Sequence, residues 1–212
     1  MKTKERLLVF GAGGHAKVVI DIIERQGDFD IAAVLDDDAD LKGRPFFGYT
    51  VLGTRAELPG LQSTGLRLAI VAIGDNASRA GVAAMLAGQG WRFASAIHPS
   101  ASLSRGVDIA PGCVIMAGSV LNADARVGAH SIVNSGACID HDCRIADGVH
   151  IAPGCHLCGG VRVGRGCFLG AGSTVTPGVN IGSNAIVGAG SVVIRDVADA
   201  AQVAGVPARP RD

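Results

Sequence analysis

Taken six residues at a time from Ile97 to Val193, the second half of the chain shows Ile, Leu or Val at all seventeen positions, without a slip of register. Four places after each stands a small or short residue, among them Ala101, Cys113, Ser119, Ser131, Cys143 and Cys155. Neither the 3.6-residue period of a helix nor the two-residue alternation of a strand gives a period of six. Short strands joined by tight turns in a parallel β-helix do. Three hexads close one triangular coil, so each residue stacks on the one eighteen places later. The aliphatic residue points inward, the small residue shares that interior, and Gly or Asn relieves φ strain at the corners. Ladder hydrogen bonds between coils satisfy the backbone. Glycine, at 31 of 212 residues, is about twice its ordinary share, which suits an architecture dominated by backbone.

The hexad register decides how the chemically suggestive stretch CIDHDCRIADGVH, residues 138–150, is read. Cys113, Cys143, Cys155 and Cys167 share the small inward phase, where a thiol serves as a compact apolar filler. Cys155 and Cys158 have zinc-like spacing, but the first belongs to the core and no second pair supplies the four ligands a structural zinc needs. Cys143 is a poor nucleophile, because burial among apolar groups raises a thiol pKa. His141, His150 and His156 fall off the inward phases and face outward. His98 and His130 read as ordinary solvated histidines. His141 differs because Asp140 and Asp142 flank it, and a carboxylate beside an imidazole raises its pKa and can orient it as a base.

The first half alternates strand and helix. Residues 6–10 predict a buried strand, GAGGH a tight turn, and residues 16–25 a helix whose apolar face holds Val18, Val19, Ile22 and Ile23. Strands follow at 31–35, ending in Asp36, Asp37 and Asp38, and at 68–73, ending in Gly74; a helix is expected over 77–88. This order implies a parallel sheet with helices on its faces, a Rossmann-like domain over residues 1–96, followed by the β-helix over 97–212. Glycines at the first strand-to-helix turn let a phosphate approach a helix N-terminus, and acids after the second strand can meet a ribose or base. The pattern Gly11-x-Gly13-x-x-Ala16 nominally matches a dinucleotide fingerprint, although strand–helix packing alone is a sufficient reason for such glycines. A span of 96 residues is too short for both halves of a dinucleotide fold, so one nucleotide portion is favoured over NAD.

Lys plus Arg and Asp plus Glu balance at 19 each, so no net field recruits nucleic acid or a membrane surface. The apolar run after the basic N-terminus stops at Gly11, which argues against a secretion signal. Nothing approaches the ~20 apolar residues of a membrane span. Six cysteines without an export signal suit a reducing cytoplasm.

The GAGGHA turn at 11–16, the IDHDC segment at 139–143 within a hexad repeat, and VAGVPA at 203–208 together resemble one family across essentially the whole chain. It is the family of sialic-acid O-acetyltransferase-like and nucleotide-sugar N-acetyltransferases, whose repeat forms a left-handed β-helix. The resemblance implies acetyl-CoA as co-substrate and a homotrimer with active sites between subunits; the ligand spacing discussed above leads us to expect no metal. It implies a nucleotide-linked 4-amino-4,6-dideoxy sugar as acceptor, with GDP-perosamine favoured and UDP-linked sugars next. His141 takes the place of the family's catalytic base and Asp142 of its polarising acid, where many members carry the longer Glu. His150 takes the place of a residue near the thioester and pantetheine. Gly170, Ala171, Gly188 and Ala189 match the coenzyme A groove. Gly13, Gly14, His15, Asp36, Asp37 and Gly74 match the nucleotide-sugar contacts. The expected reaction is direct attack of the sugar amine on the thioester. Its rivals are O-acetylation of a sugar or sialic-acid hydroxyl, a β-helix metalloenzyme of the carbonic-anhydrase type, and a non-catalytic nucleotide-sugar sensor.

Overall fold

A computed structural model describes residues 4–211 and divides the chain into two compact units, Met1–Ala96 and Ile97–Asp212. In the first, β1 (Glu5–Phe10) and β5 (Leu68–Val71) lie side by side in the middle of the sheet, and Leu7 to Phe10 and all of β5 are buried. That burial on both faces is why these segments read as continuous apolar runs. The six-stranded sheet has the order β3-β4-β2-β1-β5-β6, with β2 Phe29–Leu35, β3 Pro45–Phe46, β4 Tyr49–Gly53 and β6 Arg92–Phe93. All pairings are parallel except β3 with β4. The helices are α1 (Gly14–Gln26), α2 (Leu58–Ser63) and α3 (Asn76–Gly88).

Helix α1 buries Ala16, Val19, Ile20, Ile22 and Ile23. Val18 is 41 % exposed, which corrects its placement on the apolar face: at 100° per residue the sheet-facing stripe is centred on Val19 and Ile23, and Val18 turns outward. The helix ends in the αL conformation at Gly27, whose N–H donates to the Ile23 carbonyl at 3.0 Å.

The second unit is a parallel β-helix of two-residue strands in three sheets. Coils stack at an offset of eighteen residues, for example Cys138 on His156, Arg144 on Arg162 and His150 on Phe168. From Ile115 onward every aliphatic hexad position is buried, while Leu103, in the first coil, is 42 % exposed because a coil packs on one side of it only. Every third residue after an aliphatic position, from Gly106 to Gly190, has positive φ. Asp124, His130, Asp142 and Asn184 occupy this corner position where glycine stands elsewhere. The inward cysteines and serines also serve the backbone: Cys143 donates to Cys158 O at 3.2 Å, Cys167 to Gly182 O at 2.8 Å and Ser131 to Ala146 O at 3.0 Å. Strands Gln202–Gly205 and Ala208–Pro210 pair antiparallel beyond the last coils. Among the described residues no helix is long and apolar enough to cross a membrane.

Candidate active site

The turn after β1 lines a cavity of about 750 Å³ together with the ends of β2 and β5 and the start of α3. Gly13, Gly14, His15, Asp36, Asp37 and Gly74, the expected nucleotide-sugar contacts, converge here with Gly11 of the same glycine turn. The glycines divide into two kinds. Gly11 has φ +123°, and a Cβ there would stand 2.7 Å from the Ala72 carbonyl oxygen, so the fold requires it. Gly13 and Gly14 would meet nothing within 4 Å. Strand–helix packing therefore explains Gly11 but not Gly13 and Gly14, whose missing side chains leave open space. Gly13 caps α1 without a side-chain hydrogen bond, and the first turn carries no acid, so the N–H groups of this thirteen-residue helix remain suited to an anion.

Both acids are also engaged within the protein. Asp36 accepts from the Ala12 N–H at 2.6 Å and from the Asp38 N–H at 2.9 Å, so its carboxylate holds the glycine turn. Asp37 accepts from Nε of Arg55 at 2.9 Å and from a terminal guanidinium nitrogen, a paired geometry that lowers the Asp37 pKa. Arg55, which sequence reasoning missed, thereby joins the cavity wall. Gly74 is fixed from behind by Arg79, a buried guanidinium donating to Ile73 O at 3.2 Å, Gly74 O at 3.0 Å and Asn76 Oδ1 at 2.7 Å.

In the β-helix, His141 stands at the corner after the strand Cys138–Ile139. Its Nδ1–H donates to Asp142 Oδ2 at 2.8 Å, both side chains being about 60 % exposed. Asp142 has φ +61°, a left-handed corner that Asp tolerates better than most residues, and from there its short arm reaches the ring. Asp140 accepts from the His141 backbone N–H at 2.8 Å and from Asn122 Nδ2, one coil below, at 3.0 Å. The His141 pKa is raised, first by the bond to Asp142 and then by the charge of Asp140. With its proton held on Nδ1, neutral His141 presents Nε2 as the basic nitrogen. Asn122 is visible in sequence only to a reader who counts back eighteen from Asp140.

His150 is half-buried, its Nε2 within 3.1 Å of Asn134 Nδ2 and its ring edge-on to Phe168 at a centroid distance of 5.2 Å. Gly170 and Gly188 are explained by stacking: a Cβ at Gly170 would stand 2.5 Å from Ala189 N, and one at Gly188 2.8 Å from Ala204 Cβ. Ala171 and Ala189 are exposed beside them. His156 is exposed. The solvated reading of His98 and His130 is corrected. Both are half-buried; Nδ1 of His98 accepts from the Ser100 N–H at 3.0 Å, and His130, at a left-handed corner, lays its ring over Gly112. The inward cysteines are wholly buried, and burial pushes the Cys143 thiol up to about 11.

The PglD N-terminal domain family matches residues 6–86, and bacterial transferase hexapeptide and succinyl-transferase hexapeptide repeats match 142–177 and 160–195. A histidine-to-asparagine variant of perosamine N-acetyltransferase from Caulobacter crescentus, solved with CoA and GDP-perosamine, is 42 % identical. It superposes with a TM-score of 0.93 over 100 % of this chain and 98 % of its own. The chain belongs to the nucleotide-sugar N-acetyltransferases with a left-handed hexapeptide β-helix. The acetyltransferase domain of PglB from Neisseria gonorrhoeae FA1090, solved with acetyl coenzyme A, is 35 % identical at a TM-score of 0.90 over 99 % of this chain and 100 % of that one. UDP-N-acetylbacillosamine N-acetyltransferase of Bacillus subtilis (strain 168) is 41 % identical over 122 residues, 53 % of this chain and 52 % of that protein. The alignment thus spans about half the length of that curated relative.

Proposed function

We propose that the protein transfers an acetyl group from acetyl-CoA to the 4-amino group of a nucleotide-linked 4-amino-4,6-dideoxy sugar, with GDP-perosamine the favoured acceptor. The observation that carries this reading is the His141–Asp142 bond, a base whose free nitrogen is defined, in a chain of this family. The amine nitrogen attacks the thioester carbonyl carbon and a C–N bond forms. Nε2 of His141 takes the proton the amine loses, the C–S bond breaks, and the proton passes to the departing CoA thiolate. No covalent enzyme intermediate is needed. Such base catalysis contributes ~10²–10⁴-fold. Gly13, Gly14, His15, Asp36, Asp37 and Gly74 surround the nucleotide, and the bare N-terminus of α1 meets its phosphates. His150 stands near the acyl group, and the backbone at Gly170, Ala171, Gly188 and Ala189 follows the pantetheine. The protein works as a homotrimer in the cytoplasm, with each active site between two subunits.

The test is CoA release measured across GDP- and UDP-linked 4-amino sugars and their 4-hydroxy counterparts. Turnover with the GDP-linked amino sugar above all others is expected. Turnover only with hydroxyl acceptors, or nucleotide-sugar binding without CoA release, would reject the reading. Light scattering should give three chains per particle, and an active monomer would exclude the shared site.

A further inference from the structure

We propose that Gly159 is a positioning residue whose missing side chain seats the imidazole of His141. The inference rests on the reading of His141 as the base. Gly159 lies eighteen residues after His141, in the coil stacked upon it, and the neighbouring Gly160 N–H donates to the His141 carbonyl at 2.9 Å. A Cβ built on Gly159 would stand 2.6 Å from both Cε1 and Nε2 of His141, a separation real Cβ atoms do not tolerate. The ring therefore lies across Gly159, with its basic edge over the bare Cα and its other nitrogen on Asp142.

The backbone does not call for glycine here. Gly160 occupies the left-handed corner at φ +71°, whereas Gly159 lies outside that region. Nor does coil stacking call for it: a Cβ at Gly128, Gly164 or Gly170 would strike backbone of the next coil, while at Gly159 it strikes only the far end of an exposed side chain. The repeat supplies an independent observation. Gly159 stands two places after the aliphatic residue of its hexad. At that phase, from Pro99 to Arg195, every other position holds a residue with a Cβ, among them Ala123, Ser135, Asp147, Pro153, Ala171 and Pro177. The repeat tolerates side chains at this phase everywhere else, and lacks one where the base lies.

An added methyl at Gly159 moves the ring, since the ring is the more easily displaced partner. The displaced ring loses its bond to Asp142, the first cause of its raised pKa. The experiment compares Gly159→Ala with Gly88→Ala, a control at the end of α3 whose Cβ would meet nothing within 4 Å. Steady-state kinetics, thermal unfolding and NMR titration of the His141 imidazole are read for both. For Gly159→Ala, kcat should fall on the order of 10²-fold, the cost of misplacing a catalytic group by about an ångström. Both KM values and the unfolding midpoint should match the control, and the His141 titration should move to lower pH. In a His141→Asn background the same substitution should cost nothing more. An unchanged kcat with an unchanged titration would overturn the proposal, as would an additive loss in that background. An unfolding midpoint below the control's would also overturn it, because the methyl would then be pressing on the coil and not on the ring. Failure of the base reading itself would show separately, as full activity in His141→Asn, while the NMR titration still decides whether Gly159 seats the ring.

Discussion

The turn after β1 and the corner after Cys138–Ile139 make sites by opposite means. At the first, what matters is what is missing: Gly13 and Gly14 carry no side chain, and nothing inside the protein fills the space. At the second, side chains have been added to a repeating frame that would close without them, and Asp142 even occupies a corner where glycine is the usual solution. The difference suits the ligands proposed for the two regions. A phosphate is bound by backbone N–H groups and needs room, whereas a proton must be taken by a basic atom held in one place. Gly159 brings both strategies together, since there an absence holds an added side chain.

The largest expected effect lies on the corner. Replacing His141 by Asn preserves the exposed position and removes the proposed base, so kcat should fall ~10²–10⁴-fold with both substrates still bound, as checked by single-turnover acetyl transfer. A variant that folds, binds both substrates and keeps its full rate would end the assignment. Next in size is the turn. Gly13 has φ −91° and an open Cβ position, so Gly13→Val should leave folding intact while raising the Kd for the free nucleotide at least ~10-fold, or ~1.4 kcal/mol. Gly11→Ala should do the reverse: its backbone and the Ala72 carbonyl oppose a side chain, costing about 1–3 kcal/mol of stability. Calorimetric titration with GDP and a denaturant melt on both variants would separate them. Equal behaviour of the two glycines would erase the distinction between packing and binding.

How much of this was readable from one sequence also differs between the regions. The hexad phase told core from surface through most of the β-helix, because stacking identical coils converts sequence position directly into spatial position. It therefore placed Cys143, Cys155, Ile139 and Ile145 inside and left His141 outside. It could not place Asn122 on Asp140 without a second step of eighteen, nor show that the ring of His130 lies over Gly112. In the strand–helix half no such repeat exists. Its central strands and turn were legible from apolar runs and glycines, but β3, β4 and α2 were not, and Arg55, which sits just before α2, was missed with them. Val18 was misplaced because four apolar residues at helical spacing do not by themselves say where the stripe is centred. The glycine pattern likewise marked a turn without saying which glycine the packing requires and which it leaves open; that needed a neighbour at 2.7 Å in one case and none in the others.

A smaller effect separates orientation from basicity at the corner. Asp142→Asn removes the first cause of the raised His141 pKa and leaves the second, the charge of Asp140. A base at His141 acts when neutral, so the rate should rise with pH through its pKa, and lowering that pKa should carry the acid limb of the kcat profile to lower pH. The plateau should drop roughly 10-fold, less than the whole contribution of the base, since the imidazole stays but loses the partner that fixes its tautomer. An acid limb that stays in place would mean that Asp142 does not act on the ring.

The smallest effect is expected in the interior column the two regions do not share. Cys155 is wholly buried and its thiol donates to Gly170 O at 3.1 Å, while Ser119, Ser131, Ser173 and Ser191 occupy the same phase elsewhere and are equally buried. Ser119 makes the corresponding bond, to Asn134 O at 3.1 Å. Cys155→Ser therefore replaces one small donor by another that the column already accepts. The change in stability should stay within ~1 kcal/mol, the scale of one hydrogen bond exchanged for a similar one, and activity should be unaltered. A thermal melt and a CoA-release assay on the variant check both. Loss of activity with retained folding would give the thiol a chemical role, and the corner at His141 would then no longer be the place where the β-helix does its chemistry alone.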